Sequence, residues 1–570
     1  MHLPTLDHQH HRLSRPSRSD LFHDLVAGVT VGASQVGNAM AYTMLTGVPP
    51  VHGLYAVAAG TPAGALASGS ERMPIVPTAA LCLAAGGAIA TLPPEQHTAG
   101  LFTLAVLTGV IMLVLGLARG GGIVRFVSNA VMIGLMGGIG VTILLSQLGA
   151  LTGFSSHYQN KVLGAADLFM HPGASDVETT VIGFTTVLLV LVLRRTRLKL
   201  FAMALALFAM TVVVALLDLP SVKLVGDIAP IPRALPWPQL PDLSLVPRLV
   251  LPAVSLVIIG LVQGAGISRT VPNADGTFGD TSRDFIGHGV ANVVSGCFTG
   301  GVAGGSVQAT ALNVGAGART RWSSVVTAAF VILVIVAAAP LVQQVPLAVT
   351  AGILIVAATS ALQPRAARDV WRADKTSAVI MIVTFALVLA IPLQYAVLAG
   401  ATISVLKYIY LSSLDVRVKH VVLDGDGLPR ETDAPVALES DAVTVLDIYG
   451  SLFFAATPKI KASLPTVGAA HCPVVVLRVR GRGTLHSATI ALIRDYATQC
   501  SACGGRLYLA GVGQEMEDQL RRTGVLQLLG PDAIVAATDE LYGACAAAQQ
   551  RGRTWIAAHG EDHLRGPSAV

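Results

Sequence analysis

The sequence predicts a polytopic α-helical membrane protein followed by a small soluble α/β domain. Three observations carry that expectation. Of 570 residues, 53% are hydrophobic and only 12% are charged, with a mean hydropathy of +0.66. A soluble globular domain carries about 25% charged residues, so the chain is suited to lipid. Between Leu25 and Leu411 apolar segments follow one another with short loops. After Leu411 the pattern changes to short strand-like runs alternating with helical ones, the mark of a soluble α/β unit.

Residues 1–24 form a polar, His/Arg-rich stretch without the charged end and apolar core of a cleavable signal. His2, His8, His10 and His11 read as part of a disordered tail rather than a metal site. The transport-sized region, 25–412, divides into fourteen apolar segments. They run Leu25–Thr46, Leu54–Ala67, a half-helix after Thr78, Leu101–Leu117, Ile123–Leu151, Thr179–Leu193 and Leu198–Leu217. The second seven are Leu249–Ile267, Phe285–Phe298, a half-helix after Ser306, Ser323–Ala339, Leu347–Leu362, Ala378–Ile391 and Tyr395–Leu411.

Loop charges test that division. With a cytoplasmic N-terminus, the inward loops hold Arg72, Arg119, Arg125, the Arg194–Lys199 cluster, Arg269, Arg283, Arg319, Arg321, Arg365, Arg368, Arg372 and Lys375. The outward loops hold little beyond Lys161, Lys223 and Arg233, with Arg248 at a segment edge. That is the positive-inside asymmetry, and one miscounted segment would scramble it. The formal net charge of +5 therefore reads as topology in a cell membrane, not as nucleic-acid binding.

Segments three and ten are too short to cross a bilayer as single helices. Pro77 and Thr78 open one run, from Ala79; Gly304, Gly305 and Ser306 open the other, from Val307. Each stands third in a series of seven. An odd-numbered repeat inverts its successor, and paired interrupted helices in matched positions point to a transporter's binding site. Their N-termini would aim free N–H groups and positive dipole ends at one point, which suits an anion. N-capping alone is the competing role for Thr78 and Ser306.

Residues 413–440 read as a charged linker and 441–552 as the soluble domain, with strands at Val443–Ile448, Val474–Val479, Arg506–Ala510 and Ala533–Ala536. Helices are predicted at Thr489–Cys500, Glu515–Thr523 and Thr538–Ala548, with a disordered tail over 553–570. An even number of spans puts this domain in the cytoplasm. The six cysteines form no disulfide framework, and Cys500-x-x-Cys503 lacks the second pair that a zinc site needs. No catalytic constellation, cofactor site or metal site is expected.

Several stretches resemble the sulfate permease (SulP) anion transporters of solute carrier family 26: D-L-V-A-G-V-T-V-G at Asp24, M-A-Y-T-M-L-T-G-V-P-P-V-H-G-L-Y at Met40 and V-P-T-A-A-L at Val76. V-R-F-V-S-N-A-V-M-I-G at Val124, V-K-L-V-G-D-I at Val222 and L-N-V-G-A-G-A-R-T-R at Leu312 complete the likeness. The soluble part resembles a STAS domain. The resemblance implies two inverted repeats of seven, in a core domain and a gate domain, and a homodimer moving small anions by an elevator-like motion. Departures from the family pattern are informative. Gln263 stands where an acid is common, Ala309 where an arginine is common, and Asn38 takes the polar place in the first segment. The expected pocket is polar and uncharged: Asn38, Thr78, Ala79, Gln263, Ser306, Val307 and Gln308. Interhelical hydrogen bonding is the competing role for Asn38 and Gln263. In the STAS-like turn, His486 stands where Asp is usual and Ala488 where a phosphorylatable hydroxyl is usual.

The expected function is secondary transport of a small inorganic anion or dicarboxylate (sulfate, bicarbonate, chloride) by uniport or exchange. Gln263 cannot titrate, so any proton coupling would fall to Asp24, Asp284 or His288 at segment edges. The alternatives are an uncoupled anion channel, a proton- or sodium-coupled symporter, a nucleobase permease of similar architecture, and an enzyme using the Cys/His residues.

Overall fold

The computed structural model describes residues 17–559 apart from 123–127, 159, 200, 229–232, 360–361 and 424–427. The chain forms two compact units, Met1–Ser404 and Val405–Val570. The histidine-rich stretch, the Val124 motif in part and the last eleven residues lie outside the described residues.

The first unit is helical. It begins with α1 (Arg18–Met44), α2 (Val51–Tyr55), α3 (Thr61–Ala67), α4 (Ala79–Ile89), α5 (His97–Leu117) and α6 (Asn129–Thr152). Then come α7 (Lys161–Met170), α8 (Val177–Arg194), α9 (Ala202–Leu217), α10 (Val225–Ile228), α11 (Val246–Ser268), α12 (Thr281–Cys297) and α13 (Val307–Gly315). It closes with α14 (Trp322–Gln343), α15 (Leu347–Thr359), α16 (Pro364–Ala373), α17 (Lys375–Ala390) and α18 (Leu393–Leu414). Among the described residues, seven helices are long and apolar enough to cross a membrane by themselves, and α4, α9 and α17 are shorter apolar helices. The protein is thus a polytopic helical membrane protein.

Several boundaries differ from the sequence reading, each for a local reason. Helix α1 starts at Arg18, inside the predicted tail. The Ser17 hydroxyl accepts from Asp20 N at 3.1 Å and the Asp20 carboxylate accepts from Ser17 N at 3.3 Å, a complete capping box. The second predicted segment is interrupted by a π-helical turn at Ala56–Gly60 before Thr61-Pro62, where a missing N–H breaks the regular ladder. Helices α7 and α16 lie in predicted loops; both are amphipathic rather than apolar throughout, so a search for membrane-length apolar runs passes over them.

The stretch before each half-helix is short and paired. Strand β1 (Ile75–Val76) runs antiparallel to β2 (Gly304–Gly305), with Ile75 opposite Gly305 and Val76 opposite Gly304. Helix α12 holds this pair. Asn292, fully buried, donates to Ala303 O at 2.7 Å and accepts from Ala303 N at 2.9 Å, while Gly305 N donates to His288 Nε2 at 2.7 Å. A methyl group on Gly305 would sit 2.7 Å from Met73 Sδ and 3.1 Å from His288 Nε2, so the pairing needs glycine.

In the second unit, six described strands form one sheet in the order β4-β3-β5-β6-β7-β8. They are β3 (Arg417–Val422), β4 (Arg430–Asp433), β5 (Val443–Tyr449), β6 (Val474–Arg478), β7 (Arg506–Val512) and β8 (Ile534–Ala536). Strands β5 to β8 are parallel, and β3 is antiparallel to both its neighbours. The helices are α19 (Thr457–Ser463), α20 (Ser487–Ala502), α21 (Gln514–Arg522), α22 (Val525–Leu529) and α23 (Gly543–His559). Two expectations are corrected. The predicted linker contains β3 and β4, whose basic and acidic residues mask the short apolar content that buries Val418 and Val421. The last helix continues to His559, where Trp555 stacks on His559 at 3.9 Å, so the described part of the predicted tail is helical. All six cysteines are free thiols.

Replacing Asn292 with alanine leaves Ala303 N and O buried without those partners. The expected cost is about 3 kcal/mol, two lost bonds to buried backbone groups, read as a lower apparent melting temperature of the detergent-solubilised protein. An unchanged melting temperature would show that Asn292 does not hold the strand pair.

Candidate functional site

The two half-helices α4 and α13 begin where β1 and β2 end, so the strand pairing brings their starting points side by side. Thr78 is extended (φ −121°, ψ 147°) and its hydroxyl accepts from Leu81 N at 3.4 Å. Ser306 is also extended (φ −102°, ψ 115°) and its hydroxyl accepts from Ala309 N at 3.1 Å. Both are therefore N-caps, as the sequence suggested. A cap satisfies one of the four N–H groups that a helix start leaves without an internal acceptor. The N–H groups of Ala79 and Ala80, and of Val307 and Gln308, are the ones turned outward at the two starts. Each start adds the positive end of a helix dipole.

Side chains from other helices close on these termini. Gln263, half-buried on α11, accepts from the Thr78 hydroxyl at 3.2 Å through Oε1. The same oxygen lies 3.6 Å from where a Cβ of Gly304 would stand, so α11 reaches both half-helix starts. Gln308 accepts from the Tyr42 hydroxyl of α1 at 3.2 Å and donates to Met203 Sδ of α9 at 3.1 Å. Val307 is 66% exposed and Ala79 half-buried, so both starts are accessible. Asn38 stands one turn before Tyr42 on α1. Its recorded bond runs within that helix, to Ser34 Oγ at 3.2 Å, and its Oδ1 is buried without a partner.

The structure thus brings Thr78, Gln263, Ser306 and Gln308 to one place through direct bonds or shared neighbours. It records no contact from Asn38 to the other predicted residues. Tyr42 and Met203 went unassigned in the sequence reading. Tyr42 lies in a quoted motif, and its spacing of four from Asn38 placed both on one helix face. The Met203 contact depends on tertiary packing alone.

The side chains bonded to Thr78, Gln263, Ser306 and Gln308 carry no formal charge. The titratable residues at segment edges are engaged elsewhere. Asp24 accepts from Arg319 N at 2.8 Å and Thr320 N at 3.0 Å. Asp284, 1% exposed, accepts from Ser70 N at 2.7 Å, Ser68 Oγ at 2.6 Å and Ser70 Oγ at 2.8 Å, and also from Ser268 Oγ. His288 accepts the Gly305 N–H on Nε2, so its proton sits on Nδ1, which donates to Asp284 O at 2.7 Å. That ring is neutral and pins the second half-helix.

In the α/β unit, α20 starts at the turn where a phosphorylatable hydroxyl was sought. Ala488 has none. Thr489 is buried and donates to Leu452 O at 3.2 Å, while Ser487 is exposed. Beside this turn Asp447 pairs with Arg478 at 2.7 Å, and burial raises its carboxyl above the usual range despite that arginine.

Comparison with known proteins follows these two units. The Sulfate permease family model matches residues 21–384 and the STAS domain model residues 434–540. YvdB of Bacillus subtilis (strain 168) is 26% identical over 526 residues, covering 91% of this chain and 97% of its own. Sulfate transporter 4.1, chloroplastic, of Arabidopsis thaliana is 24% identical over 559 residues, covering 92% and 80%. The solved structure of the murine solute carrier 26 family member A9 anion transporter in its inward-facing state superposes with a TM-score of 0.82 at 18% identity, covering 95% of this chain and 92% of that one. The chain belongs to the sulfate permease family, with a C-terminal STAS domain.

Proposed function

We propose that the protein is a secondary transporter of small anions that holds its substrate between the N-termini of α4 and α13. The observation that carries this reading is the pair of capped half-helix starts, joined by the β1–β2 pairing in an uncharged polar setting. Aligned N–H groups and dipoles favour an anion without a balancing cation. Thr78, Ala79, Gln263, Ser306, Val307 and Gln308 line this site, and Asn38 backs it from α1. The murine relative is named an anion transporter and the plant relative a sulfate transporter, which supports the substrate class. Sulfate, bicarbonate, chloride and dicarboxylates are all bound by this chemistry.

On this reading the first unit consists of fourteen segments in two inverted repeats of seven, α4 and α13 being the third of each. A core domain rocks elevator-fashion against a gate domain, in a homodimer. The loop-charge asymmetry supports a cytoplasmic N-terminus and STAS domain. The STAS domain is not switched by phosphate at the α20 turn, since the hydroxyl at that position is absent.

Introducing a carboxylate tests the placement. Two like charges about 4 Å apart repel by about 4 kcal/mol at an effective dielectric constant near 20. Ser306→Glu and Gln308→Glu are therefore expected to weaken anion binding by roughly 1000-fold, measured by radiolabelled sulfate or bicarbonate binding to purified protein. Undiminished binding in both variants would remove the site from these helix starts.

Coupling follows from the same chemistry. Gln263 has no proton to exchange, and Asp24, Asp284 and His288 are committed to structural bonds. Uptake is then uniport or exchange. In proteoliposomes with an inward proton gradient and zero membrane potential, wild-type protein is expected to equilibrate its anion without concentrating it. Gln263→Glu is expected to make the rate depend on pH. Concentrative uptake by the wild type would establish proton coupling through another group. The absence of charge beside the site also favours a second reading, an uncoupled channel; saturation and counter-flow of labelled anion separate a carrier from a pore.

A further inference from the structure

The first unit contains a cavity apart from the half-helix starts. It measures about 740 Å³ and lies among the C-terminal end of α1, the distal half of α4, α6, the start of α7 and the α17–α18 junction. This is the size range of pockets that enclose organic ligands, about 300–1,000 Å³. An inorganic anion of a few atoms would leave it mostly empty.

Its chemistry is asymmetric. The walls are mostly apolar, with Leu83 from α4, Leu145 from α6 and Val388 from α17, and Thr46, Thr142 and Asn160 add polar groups. Among the described residues lining it, the titratable ones are His97 and Lys161, and none carries a carboxylate. Lys161 is the first residue of α7, is exposed, and forms no ion pair among the described residues. His97 opens α5, and its Nε2 lies 3.0 Å from Leu92 O. The pocket therefore offers a largely apolar lining and one cationic edge.

The geometry points to a binding site for an amphipathic organic monoanion, an aromatic body carrying one carboxylate or sulfonate. The ring system fits against Leu83, Leu145 and Val388, and the anionic head meets Lys161. The occupant would wedge between α4, whose opposite end carries the half-helix start, and α6 with α17. Gly86 shows how close the packing is at this wall. A Cβ there would stand 2.4 Å from Leu45 O, just past the end of α1, so the α4 and α1 backbones meet closely at this wall. A ligand filling the cavity blocks relative movement of these helices. It inhibits transport without displacing the transported anion, and this consequence alone rests on the transport reading.

The test is calorimetric titration of 1-naphthoate into the full-length protein in lipid nanodiscs, with empty nanodiscs as reference. Saturable one-to-one binding is expected, weakened at least about tenfold by Lys161→Gln, the loss of one charge-assisted contact. Lys161→Arg is expected to retain it, which separates loss of charge from misfolding. Ser306→Glu is expected to bind 1-naphthoate like the wild type even though it loses the small anion. Absence of saturable binding, or equal binding by Lys161→Gln, would overturn the site. Loss of naphthoate binding in Ser306→Glu would relocate the ligand to the half-helix starts. Equally tight binding of uncharged 1-naphthylmethanol would overturn the anionic class.

Discussion

The pairing of β1 with β2 is the constraint on which the transport unit depends. Two half-helices that end inside a membrane protein leave backbone groups that lipid cannot satisfy. Here the approach to each is an extended stretch, and the two stretches satisfy one another across an antiparallel pair. Asn292 and His288 of α12, with Thr61 of α3 on Ile75 O at 2.7 Å, satisfy what remains around them. The N–H groups just beyond the pair cannot be satisfied this way, since a helix start provides no internal acceptor for them. The free N–H groups at this point are a consequence of the architecture, and on the proposed reading an anion accepts from them.

On the proposed reading, that origin lets the site hold an anion without a cation beside it. A charged pair inside a membrane is costly and must be matched closely to be tolerated. Glutamine, threonine and serine impose no such condition. Gln263 and Gln308 instead tie the half-helix starts to α11, α1 and α9 by ordinary hydrogen bonds. On the proposed reading, the charge that moves is then the charge of the anion itself. Asp284 shows the opposite arrangement. It is buried, but four serine donors surround it and commit it to joining α12, α11 and the segment after α3.

Much of this was legible in the sequence because the signals are local. Thr78 and Ser306 are cap residues in front of short apolar runs, and both cap in the structure. Gln263 was placed on the site by the family resemblance, at the point in the eighth segment where an acid is common, and the structure bonds it to Thr78. What escaped was non-local or masked by composition. A two-residue strand has no periodicity, so β1 and β2 left no pattern to read. Strands β3 and β4 carry charged residues on an exposed face and read as linker. Helix α7, with 10 residues, is too short to count as a span, yet it supplies Lys161 to the cavity beside α4 and α6. Asn38 was legible as an unusual residue in α1, but its bond to Ser34 lies inside the helix, and only its orphan oxygen ties it to the polar face that Tyr42 also occupies.

The central claim is that one anion sits between the two half-helix starts. Diffraction from crystals soaked in bromide or selenate, recorded at the absorption edge of the heavy atom, tests it most directly. The account predicts an anomalous peak within hydrogen-bond reach, about 3.5 Å, of the N–H groups at Ala79–Ala80 and Val307–Gln308. A peak elsewhere in the transport unit, with none between α4 and α13, would contradict it.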